Sequence, residues 1–159
     1  MTSSYSFSND IGTVFDKLTD PDFLVQRCVA MGEKNIQCNV EGDGRKTTVI
    51  LSRTIKRDLP AVLAKMFGAE NHMVMTEKWE DLGNSKIGNY TVEVQGQPVT
   101  LSAKFKLKAT DSGCEYSIDY ACKAKIPLVG GQVEKFILGQ TEEGMRKEMD
   151  YLKSRLKNS

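Results

Sequence analysis

Residues 99–125 read VTLSAKFKLKATDSGCEYSIDYACKAK, and their alternation decides the fold. Val99, Leu101, Ala103, Phe105 and Leu107 interleave with Lys104, Lys106 and Lys108. After the turn residues Asp111-Ser112-Gly113 the pattern resumes, with Cys114, Tyr116, Ile118, Tyr120, Cys122 and Ala124 against Glu115, Ser117 and Asp119. An apolar position at every second residue places one set of side chains on a covered face and the other in water. Two such runs joined by turn chemistry read as a hairpin of an antiparallel sheet packed on one side only.

The same period extends upstream. Strands are expected over 34–41, 45–56, 71–81 and 87–95 in addition to 99–109 and 114–125, and a first strand over 3–7. Gly42-Asp43-Gly44, Gly83-Asn84-Ser85 and Gly96-Gln97-Pro98 supply the other tight turns. Two segments near the N-terminus change to helical spacing. Ser8 and Asn9 can cap a helix carrying Ile11, Val14, Phe15 and Leu18, and Asp20-Pro21 opens a second through Phe23, Leu24, Cys28 and Met31 that stops at Gly32. The segment 57–70 interrupts the hairpins with Leu59, Val62, Leu63, Met66 and Phe67 at helical spacing, and is expected to be a movable gate or a fixed plug. After Ile126-Pro127 a long helix is expected over 130–156, with a stripe of Val133, Phe136, Ile137, Met145, Met149, Leu152 and Leu156.

Composition narrows the function classes. The chain has 159 residues, enough for one domain spanning 1–159 with a core that needs no disulfide staples. Its formal charge of +1 gives it no global attraction to nucleic acid, which is not expected as a partner. The start MTSSYSFSND has neither a basic head nor an apolar stretch, so the expected location is the cytoplasm. Cys28, Cys38, Cys114 and Cys122 match no Cys-x-x-Cys spacing and are expected as small buried hydrophobes. No nucleotide loop motif occurs, and a zinc site would have to combine His72 with distant cysteines, so neither cofactor nor metal is expected. His72, the only histidine, falls on the face opposite Met73, Met75 and Trp79 and is expected in solvent.

Strand, two short helices, six antiparallel strands and one long terminal helix is the element order of the helix-grip fold. Phe15-Asp16-Lys17-Leu18-Thr19-Asp20-Pro21 resembles the helix junction of the START-like superfamily, which includes lipid-transfer START domains, the birch pollen allergen family and polyketide cyclases. Ile126-Pro127-Leu128-Val129-Gly130-Gly131 through Glu134-Lys135 resembles that superfamily's entry to the grip helix. This closing segment and the Leu59-Pro60 insertion are similar to a bacterial branch of unknown function. The resemblance implies an α+β fold, a curved sheet of six or seven strands around the terminal helix, with a cavity between them for a hydrophobic or lipid-like molecule. It leaves transient membrane contact open and does not decide the oligomeric state. It carries no catalytic residues with it.

Candidate ligand contacts follow from strand and helix parity. Met73, Met75, Met145 and Met149 face inward as an adaptable apolar lining or as plain core filling. Met66, Phe67, Trp79 and Phe136 add apolar surface, and Tyr90, Tyr116 and Tyr120 add hydroxyls. Arg53 and Glu77 fall on the apolar parity of their strands, where a charge must be paired, neutralised or wet. Either they meet a ligand's head group, or a bulge shifts the register, or they form a structural pair near a strand end. Binding or transport of a hydrophobic molecule is the leading expectation. A cyclase or dehydratase using Glu77 and a tyrosine as acid and base is a second, and an interaction domain with a filled core is a third.

Overall fold

Seven strands make one antiparallel sheet in the computed structural model, which describes residues 1–157. In chain order the elements are β1 (Thr2–Phe7), α1 (Ile11–Leu18), α2 (Pro21–Ala30), β2 (Lys34–Asp43), β3 (Lys46–Lys56) and α3 (Ala61–Phe67). There follow β4 (Glu70–Asp81), β5 (Ser85–Val94), β6 (Val99–Thr110), β7 (Gly113–Ala124) and α4 (Gly130–Lys157). The strand order β1-β7-β6-β5-β4-β3-β2 is a run of hairpins from β2 to β7, with β1 added at the far edge beside β7. Helix α4 packs across β7 and β1, and α2 packs on β2, giving the α+β helix-grip arrangement.

Local chemistry explains the element ends. Asp20 accepts a hydrogen bond from the Asp22 N–H at 3.0 Å and Pro21 takes the first helical position, as the sequence predicts. For α1 the cap is instead Asp10, whose carboxylate accepts from the Thr13 N–H at 3.3 Å; Ser8 and Asn9 precede the helix. Three good capping residues in succession leave the choice to the chain's exit from β1. At the entry to α4 a Cβ on Gly130 would stand 2.8 Å from the Ala124 carbonyl oxygen, so the turn from β7 into the grip helix needs glycine there.

The alternation of β6 and β7 becomes a single buried face. Phe105, Leu107, Tyr116 and Ile118 are buried, while Lys104, Lys106, Glu115 and Asp119 are exposed. Trp79, Gly88 and Phe105 lie in register across β4, β5 and β6. The missing side chain of Gly88 lets the Phe105 ring approach Trp79 to a centroid distance of 4.4 Å, and Phe15 meets the indole edge-on at 5.2 Å. Val14, Leu18, Leu24, Met149 and Leu152 close the core from the helical side. Among the described residues no helix is long and apolar enough to cross a membrane.

Candidate functional site: a charged cavity under the grip helix

Between the inward face of the sheet and α4 the core is not filled. A cavity of about 240 Å³ remains. It opens to solvent on one side and equals the liquid volume of roughly eight waters. Its sheet wall is Met73, Met75, Glu77 and Trp79 of β4, Tyr90 and Val92 of β5, Leu101 of β6 and Tyr116 of β7. The helical wall is Met145, Glu148 and Met149 of α4 with Leu24 and Arg27 of α2. Lys56, Gln140, Glu143 and Lys147 line it and are exposed, which places the mouth between the end of β3 and the middle of α4.

The structure brings together nine of the residues singled out by parity: Arg53, Met73, Met75, Glu77, Trp79, Tyr90, Tyr116, Met145 and Met149. Phe67 and Phe136 line a separate apolar pocket of about 30 Å³ under α3, with Leu59, Leu63 and Val133. Met66 and Tyr120 line neither space. Met66 is half-buried on α3 but does not reach the pocket that Leu63 and Phe67 line. Tyr120 is buried further along β7, where its N–H donates to the Met1 carbonyl at 2.8 Å and β1 covers that end of the strand. His72 faces away from the cavity but is half-buried rather than solvated, its Nδ1 3.0 Å from Thr54 Oγ1.

Sequence reasoning missed the helical half of the charged cluster. Arg53 Nη1 lies 3.3 Å from Glu33 Oε1, 3.4 Å from Glu148 Oε1 and 3.7 Å from Cys28 Sγ. Arg27 Nη2 lies 3.6 Å from the other oxygen of Glu148. Two arginines and two glutamates thus neutralise one another, so Arg53 belongs to a structural network near the end of β3, beside the edge strand. Burial opposes its charge, and Glu148 and Glu33 more than offset that, holding the guanidinium firmly protonated. Burial also pushes the Cys28 thiol up to about 11, leaving an inert thiol buried beside Arg53.

Glu77 has no such counter-ion. Among the described residues it forms no ion pair, and its polar contact is the Trp79 indole N–H, which donates to Oε1. The pairing of β4 with both neighbours runs through Glu77 without a register shift, so no bulge accounts for its inward position. Burial pushes its carboxyl up to about 7, while the Trp79 N–H and the Arg27 charge pull the other way. Burial likewise raises Tyr90 and Tyr116, keeping both hydroxyls neutral as donors. Arg27 Nε is buried in the same wall without a hydrogen-bond partner. The cavity therefore presents an acid poised near neutrality and phenolic donors around an apolar centre. Among the described residues no three His, Cys, Asp or Glu side chains gather as a metal site.

A family model described as "Protein of unknown function (DUF2505)" matches residues 2–156. The chain belongs to that family. No curated protein matches it. Solved structures match over nearly the whole DUF2505 chain at low identity. A protein from Thermus thermophilus matches with a TM-score of 0.65 and 12% identity over 98% of this chain and 94% of its own. An uncharacterized protein from Rhizobium leguminosarum gives a TM-score of 0.63 at 10% identity, over 100% and 94% of the two chains. Ara h 8.0201, of the birch pollen allergen type, gives 0.58 at 18% identity over 97% of each. At these identities the likeness establishes the helix-grip fold and nothing finer.

Proposed function

We propose that this DUF2505 protein binds a small molecule with an apolar body and at least one polar group in the cavity beneath α4. The observation that carries the reading is the unfilled space of about 240 Å³, walled by methionines and aromatic rings yet holding at Glu77 a carboxyl without a counter-ion. An unpaired carboxyl is costly in a merely structural core, and a polar group on a ligand would meet it. Pockets for drug-sized ligands span about 300–1,000 Å³, so the ligand is smaller than a sterol or a two-chain lipid. A filled-core interaction domain would have no use for such a space.

Direct evidence would come from organic extraction of the purified protein, mass spectrometry of what is released, and its return to stripped protein. Trp79, the single tryptophan, lines the cavity and should change its emission as the site refills. Met145→Phe, which fills the space from α4 without adding a second indole, should remove that response while the fold persists. Binding with full affinity to Met145→Phe would place the ligand elsewhere and sink the reading.

One observation favours a second reading, acid–base catalysis on a hydrophobic substrate. Glu77, held near neutrality, suits a group that takes a proton from carbon beside a carbonyl and returns one to a leaving hydroxyl, with Tyr90 or Tyr116 donating to the carbonyl. Turnover of a β-hydroxy ketone, lost in Glu77→Gln with binding retained, would support it. Equal turnover by Glu77→Gln would remove it.

A further inference from the structure

The cavity's charges do not balance. Arg27 and Arg53 are neutralised by Glu33 and Glu148. Glu143, a carboxylate at the mouth, is engaged by Arg146 at 2.6 Å. Arg57 is left over. It lines both the main cavity and the small apolar pocket, at their junction with Met73. Its backbone N–H donates to the Ala69 carbonyl at 3.1 Å, and its guanidinium has no ion pair or side-chain hydrogen bond among the described residues. The charges that reach it are Arg53, which repels it, and Glu33, already held by Arg53. A guanidinium cannot shed its proton to escape this position, and its N–H groups, none of them sealed from solvent, are left to water or to an acceptor on a ligand. Lys56 and Lys147, neither in an ion pair among the described residues, stand at the same mouth.

We propose that the cavity selects a small aliphatic carboxylate, with Arg57 as its counter-ion and the apolar body laid over Met73, Ile55, Val92 and Leu101. This deepens the ligand-binding reading and rests on it. A single unpaired guanidinium matches a single negative charge, and its planar fork fits the two oxygens of a carboxylate. A cationic ligand would instead pass Lys56, Lys147 and Arg57 to reach Glu77, with Arg27 and Arg53 behind it. Met73, shared by the two spaces, is the residue past which an alkyl chain would run toward the pocket beneath α3.

The test compares octanoate, octanol and octylamine, which share an eight-carbon chain and differ in head group, against the stripped full chain by calorimetry and Trp79 emission. A hydrogen-bonded charge of this kind contributes about 1.5–3 kcal/mol, so octanoate should bind roughly ten- to a hundredfold tighter than octanol. Octylamine should bind more weakly than either. Arg57→Gln should abolish the preference for octanoate with octanol affinity unchanged, and Arg57→Lys should restore part of it. Equal binding of octanoate and octanol by the wild-type chain overturns the carboxylate assignment and leaves the ligand-binding reading standing. Failure of all three to bind the folded protein overturns both. A preference that survives in folded Arg57→Gln refutes the role of Arg57.

Discussion

Replacing Glu77 by Gln should make the protein more stable at high pH and leave it unchanged at low pH. In the folded chain the carboxyl is pushed from its ordinary 4.5 up to about 7 by burial. Below 4.5 both the folded and the unfolded chain hold the proton, and the group contributes nothing to pH dependence. Between 4.5 and about 7 the unfolded chain ionises while the folded one keeps its proton, so stability falls as pH rises. Above about 7 both are ionised and the loss is complete. Each tenfold change in acidity is worth about 1.4 kcal/mol, so the whole loss approaches about 3 kcal/mol, less what water in the cavity relieves.

Glutamine has nearly the same shape, does not titrate, and keeps an oxygen to accept the Trp79 N–H. Urea unfolding of both proteins at steps from about pH 4 to about pH 9 isolates the effect, because every other titrating group cancels in the difference. The curves should coincide at the acid end and separate by about 2–3 kcal/mol in favour of glutamine above neutrality. The charges that reach Glu77 from α2, β3 and α4 are Arg27, Arg53 and Glu148. If Arg27 were in truth its counter-ion, the carboxylate would be the stable form, and the wild-type protein would be the more stable above neutrality. That result, or two parallel curves, would refute the reasoning.

Two further outcomes test the frame that holds the site. Gly88→Ala should cost about 1–3 kcal/mol in a urea melt, since the new Cβ would stand 2.3 Å from the Lys78 carbonyl oxygen and 2.4 Å from the Phe105 ring; a neutral effect would mean that Phe105 does not lie over this glycine. Helix α3 has seven residues, no side-chain cap and no fully buried residue, so its amides should exchange hydrogen faster than those of β3 and β4 and gain protection when octanoate is bound. Slow, ligand-independent exchange there would make it a fixed plug.

Much of this molecule is legible along the chain because its antiparallel strands are neighbours in sequence and wet on one face, so parity, turns and burial agree from β2 to β7. The edge position of β1 beside β7 is not local information; it comes with the family resemblance carried by the helix junction and the entry to α4. Arg53 and Glu77 are visible for the same reason as the core, as charges on an apolar parity. The same test on the helices finds Arg27 in the stripe of Leu24, Cys28 and Met31, and Glu148 in that of Met145, Met149 and Leu152. On a helix the signal is weaker, because long charged side chains often lie along a greasy face with their heads in water. Arg57 continues the parity of Val49, Leu51, Arg53 and Ile55, but it falls one residue past the end of β3, where the pattern turns helical and the parity is easily missed. Lys86 also points inward, yet it is an ordinary structural pair, 2.7 Å from Asp81 near the start of β5. What separates Glu77 and Arg57 from Arg53 and Lys86 is whether a counter-ion arrives. For Arg53 one such partner lies 95 residues away on α4. A sequence can therefore mark a buried charge, but only the folded chain shows which charges are left for a ligand to satisfy.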